Sequence, residues 1–322
     1  FQSGGAMLTS LIVGPDGVVY GSSAHPMHFF GYDPAADKLT DLGPINRVGG
    51  GNFCAMAVQG KSVAAASYSN GIFHVYDTTR TFNGGFGNDP NPREVAEWHR
   101  DICRPRACLA HPNGEDVMMA GFAGYGLCGG GLGIYNLKTE QATLIDHEHL
   151  IPNQSTIALV ALPDGRVVGG TSIATPGGGH ALAKEAVVYI LDWKTKQVVF
   201  QVAPQAGAAE VPSLVLGPDS LVYGLAGGRL FAFDPAQRKL VRNDVDLSEY
   251  GSIVRPGMVL GPDKMIYGAM TGAIVKIAPG SCAVTKVADA PMGITAGPVL
   301  KDGRFYFASR ASLWSYEPGV KP

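Results

Sequence analysis

One pattern of sequence recurs seven times along the 322-residue chain. Each copy reads as an apolar strand, a tight turn, a second strand, a loop, and a third strand that ends near an aromatic residue followed by Asp-Pro or a similar pair. The turns begin at Gly14, Val58, His111, Leu162, Gly217, Gly261 and Leu300. The matching third strands end at Tyr32-Asp33-Pro34, Tyr76-Asp77, Tyr135-Asn136, Leu191-Asp192, Phe233-Asp234-Pro235, Ile277-Ala278-Pro279 and Tyr316-Glu317-Pro318. Turns and strand ends alternate strictly at intervals of 39 to 55 residues, which indicates a repeated β-sheet unit.

The local chemistry of the repeat favours short strands joined by tight turns. The tripeptide Pro15-Asp16-Gly17 promotes a chain reversal, and segments such as Leu221-Val222-Tyr223 carry the β-branched and aromatic residues typical of strands. The sequence shows no long amphipathic helical pattern. We therefore predict an all-β fold, a seven-bladed β-propeller. A β-sandwich is the structural alternative, and the strict period argues against it.

The first six residues resemble the remnant of a protease-cleavable expression tag, so residues 7–322 are expected to form one propeller domain. The last repeat has strands near 297–300, 304–308 and 312–316 and then stops. We expect its outer strand to come from native sequence upstream of Met7, because an uncovered sheet edge is a liability. This expectation allows for further domains in the full-length chain.

Composition excludes several classes of partner. The chain has 25 basic and 27 acidic side chains, so no basic excess points to nucleic acid, and no apolar run approaches the length of a membrane span. The cysteines are odd in number and include no C-x-x-C pair, which favours buried thiols and a reducing compartment over a disulfide framework or a zinc site. They are Cys54, Cys103, Cys108, Cys128 and Cys282. The sequence contains no metal motif and identifies no cofactor.

The candidate catalytic residues lie in long loops that the repeat places on one face of the propeller. These loops run over 22–28, 97–106, 123–131, 147–156 and 172–186. They carry the histidines His25, His99, His149 and His180, whose imidazole groups suit proton transfer near neutral pH. Tyr125 lies in a glycine-rich loop that lets the backbone approach a ligand. The alternative for each histidine is a solvated or structural role.

The candidate substrate-binding residues lie close to the start of the inner strands or in the adjoining loops. They are Asn52, Arg104, Gln154, Lys184 and Arg255. Two arginines at the mouth of a channel suit a carboxylate or sulfate through bidentate contacts. The alternative is that each arginine is neutralised by a nearby acid such as Asp101 or Glu210.

The Pro-Asp-Gly turns and aromatic-Asp-Pro strand ends resemble those of the NHL and gluconolactonase-like superfamily and of bacterial polysaccharide-lyase propellers. In the lyase propellers, as the resemblance implies, a histidine or tyrosine moves the proton and an arginine neutralises the uronate. Tyr125, the loop histidines and Arg104 or Arg255 are the matching candidates. We therefore predict a lyase acting on a uronic-acid glycan, or alternatively a non-catalytic module that binds a glycan or a protein, with hydrolases and lactonases as further possibilities. The expected partner is a small molecule or an oligosaccharide.

Overall fold

The computed structural model describes residues 5–48 and 50–318. Four of the six residues predicted to be a tag remnant, 1–4, lie outside the described residues. Within the described ranges the chain forms twenty-seven β-strands and one short 3-10 helix, Ser248–Tyr250. The prediction of an all-β propeller is confirmed.

The strands group into seven antiparallel meanders, numbered along the chain. Meander 1 contains β1 (Met7–Val13), β2 (Val19–Ala24), β3 (Phe29–Asp33) and β4 (Lys38–Gly43), and meander 2 contains β5 (Asn52–Gln59), β6 (Ser62–Tyr68), β7 (Ile72–Asp77) and β8 (Arg93–Glu97). Meander 3 contains β9 (Arg104–Ala110), β10 (Asp116–Phe122), β11 (Leu132–Asn136) and β12 (Ala142–Ile145), and meander 4 contains β13 (Ser155–Ala161), β14 (Val167–Ser172), β15 (Val188–Asp192) and β16 (Gln197–Val202). Meander 5 contains β17 (Leu214–Leu216), β18 (Val222–Ala226), β19 (Arg229–Asp234) and β20 (Lys239–Asp246). Meander 6 contains β21 (Ile253–Leu260), β22 (Ile266–Met270), β23 (Ala273–Ile277) and β24 (Val284–Asp289), and meander 7 contains β25 (Ala296–Lys301), β26 (Arg304–Ser309) and β27 (Ser312–Tyr316).

Hydrogen bonding divides these meanders into six sheets. Five meanders are separate four-stranded sheets, and meanders 6 and 7 share one seven-stranded sheet. The link between them is a single parallel pair, Pro256 with Gly297, while all other pairing within the sheet is antiparallel. If this one pair is regarded as a contact between two blades, the seven meanders correspond to seven blades; if it is regarded as part of a sheet, meanders 6 and 7 form one unit.

The core lies between neighbouring meanders rather than within any one of them. The rings of Phe29 and Phe53 are 5.5 Å apart across meanders 1 and 2, and those of Phe200 and Phe233 are 5.8 Å apart across meanders 4 and 5. The second strands are buried along most of their length, and every residue of β10 and β14 is buried. Each sheet thus buries apolar side chains on both faces, which requires a neighbour on either side.

Meander 1 packs against meander 7 and closes the ring. The Leu8 N–H donates to the Arg310 carbonyl at 2.7 Å, and Thr295 Oγ1 donates to the Leu8 carbonyl at 3.1 Å. Leu11 and Tyr306 belong to the apolar cluster that fills this seam. Meander 7 has the three strands predicted for it, and its third strand is largely exposed where the corresponding strands of the other meanders are mostly buried.

A repeated aspartate–tyrosine contact fixes the turn between the first two strands. The sequence Gly-Pro-Asp with Tyr four residues after the Asp occurs three times, and each tyrosine hydroxyl donates to its aspartate: Tyr20 to Asp16 at 2.7 Å, Tyr223 to Asp219 at 2.6 Å and Tyr267 to Asp263 at 2.9 Å. The leading glycine is required because a Cβ at Gly217 would lie 2.6 Å from the Tyr223 ring. Tyr223 also accepts the Gly280 N–H at 2.7 Å, which links two meanders.

We expect Tyr223→Phe to lower the free energy of unfolding by about 1–2 kcal/mol, since the change removes one donated and one accepted hydrogen bond of a buried hydroxyl. Tyr20→Phe removes the bond to Asp16 but leaves no backbone N–H without its acceptor, so it should cost less, roughly 0.5–1 kcal/mol. Urea unfolding of both variants checks the difference. An equal loss in the two variants would show that the Gly280 contact contributes nothing.

His74 is a buried titratable group without a polar partner. It lies on β7 at 1% exposure, its ring centroid is 5.4 Å from that of Phe53, and neither ring nitrogen has a hydrogen-bond partner. Burial lowers the pKa of His74 from 6.5 to about 3. Above pH 6.5 the ring is neutral in both the folded and the unfolded chain. As the pH falls toward 3, only the unfolded chain takes up the proton, so the folded state loses stability.

We expect His74→Phe to remove this acid sensitivity. On going from pH 7 to pH 4.5, the wild type should lose roughly 2–3 kcal/mol more unfolding free energy than the variant. Each pH unit below the pKa of the unfolded histidine contributes about 1.4 kcal/mol to this difference. Urea unfolding at the two pH values measures the gain. The exposed His180→Gln change serves as a control and should leave the pH dependence of stability as it is. A parallel pH dependence in wild type and His74→Phe would contradict the assignment.

Candidate functional site

The inner strands of six of the seven meanders, all but meander 5, carry a β-bulge or similar irregularity near the point where the chain enters the meander. In β5 the pairing passes from Phe53 to Ala55 and leaves Cys54 out of register, and in β9 it passes over Arg106 in the same way. Thr9 of β1 and Ile157 of β13 occupy the equivalent places, and a longer irregularity in β21 contains Arg255. A bulge re-aims a side chain that would otherwise follow the pleat.

The inner strands of the meanders surround a narrow channel with a volume of about 110 Å³. Side chains at the bulges form part of its wall. The polar and bulge-derived lining residues are Ser10, Cys54, Arg106, Ile157, Ser213 and Arg255. Since a single water needs only about 10–15 Å³ on this measure, the channel can hold several waters or one small anionic group.

The arginines in and above this channel have no counter-ion. Arg104, Arg106 and Arg255 form no ion pair with any carboxylate of the described residues, whereas seven other ion pairs of arginine are present. Arg104 Nη1 and Arg255 Nη1 are buried without a hydrogen-bond partner. Neutralisation of Arg104 and Arg255 by Asp101 or Glu210, the alternative raised from the sequence, is therefore not what the geometry shows.

The pKa of the Arg106 guanidinium is lowered by burial and altered by the charges of its neighbours. Burial lowers the pKa of its guanidinium to about 10, and the nearby charges of Arg255 and Arg104 act in the same direction. Glu210 opposes this shift without forming an ion pair with Arg106. Its Nη1 donates to the Pro105 carbonyl at 3.0 Å, and its guanidinium lies 5.1 Å from the centroid of the Phe122 ring. The group stays charged at neutral pH, so the site concentrates positive charge.

Arg104 lies between two tyrosine rings on the long-loop face. Its guanidinium carbon is 4.5 Å from the Tyr125 centroid and 5.6 Å from the Tyr68 centroid. The Tyr125 side chain raises the pKa of Tyr68, and burial adds to the effect. The Gly126 N–H donates to the Gly177 carbonyl at 3.0 Å, and a Cβ at Gly177 would lie 3.3 Å from Arg104 Nη1. The long loops 123–131 and 172–186 thus meet over Arg104.

A groove of about 720 Å³ opens beside this cluster. His25, Asn46, Tyr68, Phe86 and Tyr125 are among the residues that line it. Of the residues proposed from the sequence, the structure therefore brings His25 and Tyr125 to one groove and places Arg104 in contact with Tyr125. Arg255 lies in the channel with Arg106.

The other candidate histidines are not part of this arrangement. His149 Nδ1 is 2.7 Å from Asp146 Oδ1, and this hydrogen bond holds the pKa of Asp146 below its usual range. His99 and His180 are exposed in their loops and line none of the cavities that contain the arginines or Tyr125. The prediction that they share a site stays a prediction.

Three candidate substrate-binding residues line neither the channel nor the groove, and two of them form hydrogen bonds within the protein. Asn52 Nδ2 donates to Thr9 Oγ1 at 2.9 Å and ties β5 to β1. Gln154 is buried, and its Oε1 accepts a hydrogen bond from the Thr171 hydroxyl. Lys184 is exposed. Their polar groups could reach a ligand only at the margin of the site.

Sequence reasoning missed Arg106, Tyr68 and Phe86. Arg106 lies two residues beyond Arg104, but the bulge in β9 turns its side chain into the channel, which the alternation of a regular strand does not predict. Tyr68 ends β6 just before the loop that joins the second and third strands of meander 2. Loops at this position supplied other site candidates, such as Tyr125 in meander 3. Phe86 lies between β7 and β8 and carried no local signal.

All five cysteines are free thiols; Cys54, Cys103 and Cys282 are buried, and Cys108 and Cys128 are half-buried. Among the described residues no three His, Cys, Asp or Glu side chains gather into a metal-binding group. The part of the chain that the structure covers holds no helix with the length and hydrophobicity of a membrane span.

Comparison with known proteins supports the fold at low sequence identity. No family model and no curated protein matches the chain. The structure is similar to the extracellular domain of a protein described as a one-component system of B. thetaiotaomicron, with a TM-score of 0.69, 11% identity and coverage of 98% of this chain and 39% of that one. It is similar to Kuenenia stuttgartiensis hydrazine synthase at TM-score 0.73, with 15% identity and coverage of 100% of this chain and 98% of that one. It is also similar to a chain of the mitotic checkpoint complex at TM-score 0.69, with 13% identity and coverage of 96% and 87%.

The chain thus spans well under half the length of the first of these proteins. Identities of this size show a shared propeller-like fold and carry no function with them. The resemblance to the gluconolactonase-like and lyase propellers stays a prediction.

We expect Arg106→Met to raise the free energy of unfolding by about 1–2 kcal/mol in low-salt Tris buffer, because it removes a partly buried charge that is in no ion pair with a described carboxylate. Arg304→Met is a matched control, since Arg304 is exposed and lies 2.6 Å from Glu317, and should be neutral or slightly destabilising. Chemical unfolding of both variants measures the contrast. A loss of stability in Arg106→Met would show that the guanidinium is already compensated within the protein.

Proposed function

We propose that this chain is a ligand-binding propeller whose arginine-lined channel holds the acidic group of a small ligand, most simply the carboxylate of an acidic sugar. In this proposal the seven meanders act as seven blades around the channel. The observation that carries it is the absence of a counter-ion for Arg104, Arg106 and Arg255 among the described residues. Removing a charge from water costs several kcal/mol unless an opposite charge compensates it, so an incoming anion gains more here than at a solvated arginine.

The ligand chemistry follows from the guanidinium group. Its planar fork matches a carboxylate, sulfate or phosphate through two parallel hydrogen bonds. The channel volume of about 110 Å³ accommodates such a group, while the rest of a sugar would extend toward the exposed Tyr125 ring. Extracellular domains of proteins described as one- or two-component systems share this fold with a hydrazine synthase. The preference for recognition over catalysis therefore rests on the arginines and not on the shared fold.

A lyase is the second candidate, and one observation favours it. Arg104, Tyr125 and Tyr68 form a contiguous cluster. In β-elimination, an imidazole such as that of His25 would take the C–H proton beside the uronate carboxylate, while the Arg104 guanidinium stabilises the carbanion that forms. A tyrosine hydroxyl would then protonate the leaving oxygen as the C–O bond breaks. The cluster and the adjoining groove therefore contain the base, the acid and the neutralising cation that this reaction requires.

We expect glucuronate to bind and glucose to bind far more weakly in isothermal titration calorimetry. Arg104→Ala should weaken glucuronate binding by roughly 2 kcal/mol, the usual scale for a lost charge-assisted contact, and Arg255→Met should have a similar effect. Arg304→Met is the control and should leave the affinity unchanged. Equal affinity for glucuronate and glucose, or no effect of both channel substitutions, would refute an acidic-ligand site.

The lyase candidate has a separate test. Incubation with uronic-acid oligosaccharides should produce the ultraviolet absorbance of an unsaturated product, and Tyr125→Phe should reduce turnover while leaving binding intact. If the oligosaccharides bind without forming this product, the protein is a binding module and the tyrosines position the ligand.

A further inference from the structure

We infer that the groove beside Arg104 is a second subsite, which takes the uncharged sugar rings that follow the acidic residue of an oligosaccharide. The inference rests on the proposed function and names its ligand class as an acidic oligosaccharide rather than a single acidic sugar. The groove is lined by His25, Asn46, Tyr68, Phe86 and Tyr125, and its volume of about 720 Å³ far exceeds that of the channel.

Continuity with the arginines is the first argument. Tyr68 and Tyr125 line the groove, and both rings also contact the Arg104 guanidinium. A ligand that places its carboxylate near Arg104 therefore has its next residue at the wall of the groove. The linings of the two cavities have no residue in common. Arg104 connects them, because its guanidinium contacts two rings of the groove and its charge acts on Arg106 in the channel.

The surface chemistry of the groove suits neutral sugar rings. Phe86 is 49% exposed and Tyr125 is 63% exposed, so two flat rings are available to the C–H faces of a pyranose. Arg47, the one arginine in the lining, is held by Glu94 at 2.6 Å and by Glu97 at 2.7 Å. Its charge is thereby offset, so the groove offers apolar faces with polar edges instead of a second anion site.

The loop that carries Phe86 is held in place before any ligand arrives. Asn83 Oδ1 accepts the N–H groups of Gly85 at 3.1 Å and of Asn91 at 2.7 Å. The Asn46 N–H donates to the Gly84 carbonyl at 2.8 Å and joins the two loops that frame the groove. Such preorganisation reduces the entropic cost of binding. A glycan fits this surface better than a peptide, because the lining residues come from loops, apart from Tyr68 at the end of β6, and present no strand edge for main-chain pairing.

The test compares glucuronate with aldotriouronic acid, in which one glucuronate residue is linked to xylobiose, by calorimetry on the whole chain. The longer ligand should bind about tenfold more tightly, a scale set by one or two ring contacts. Phe86→Ala should remove most of this gain and leave glucuronate affinity unchanged, while Phe86→Trp should retain it. Leu182→Ala is the matched control, since Leu182 is 66% exposed in a different loop.

The outcomes separate the two proposals. If the wild type binds neither glucuronate nor aldotriouronic acid, the proposed function fails. If glucuronate binds but the longer ligand gains nothing, or if Phe86→Ala leaves the gain intact, the subsite is refuted and the channel site stands. If the peptide Glu-Trp-Gly loses affinity in Phe86→Ala while aldotriouronic acid does not, the groove receives a peptide and the glycan assignment is wrong.

Discussion

Each meander of this protein has apolar side chains on both faces, and it can bury them only between two other meanders. The contacts of Phe29 with Phe53 and of Phe200 with Phe233 recur from one pair of neighbours to the next. A row of sheets under this constraint must return to its start, and meander 1 meets meander 7 through the Leu8–Arg310 hydrogen bond. The ring, its central axis and the convergence of the inner strands all follow from two-sided burial.

The convergence of the inner strands at the axis brings side chains of different meanders around one channel. The innermost strands are close together, so their side chains compete for little space, and the bulges that leave Cys54, Arg106 and Ile157 out of register turn those side chains toward the channel. The result is a rigid wall made of regular secondary structure. A site built on such elements holds its groups more accurately than one built on loops alone. The loops beside Arg104 then cover its guanidinium without carrying the fold.

The architecture was predictable because its signals are local. The Asp16–Tyr20 and Asp219–Tyr223 contacts span four residues, so the turn and the strand that follows it can be recognised within a single short segment. The same holds for strand ends, where Asp33 accepts the Ala35 N–H at 2.9 Å and Asp234 accepts the Ala236 N–H at 2.9 Å. Short-range chemistry of this kind recurs along the chain and leaves few alternative folds.

The site was predictable only in part, because it depends on register and on long-range loop contacts. Arg104 and Arg255 were identified from their place at the start of inner strands, whereas Arg106 was not, since a bulge cannot be read from the apolar pattern of β9. Similar loops do not bring their histidines together, as His149 pairs with Asp146 within its own loop. Loop conformation at this scale is set by neighbours such as Gly177 that are distant in sequence.

Enclosure of the arginines also changes how dissolved salts would act on the protein. Charges on an open surface are weakened by ionic strength as such, with little regard for which ions are present. Inside a channel of about 110 Å³ the ionic atmosphere has little room, and a chloride or a sulfate ion would instead compete for the guanidinium groups one molecule at a time. The identity and concentration of the particular anion in the medium, rather than the ionic strength as such, would then govern how much of the protein is free to take up its ligand.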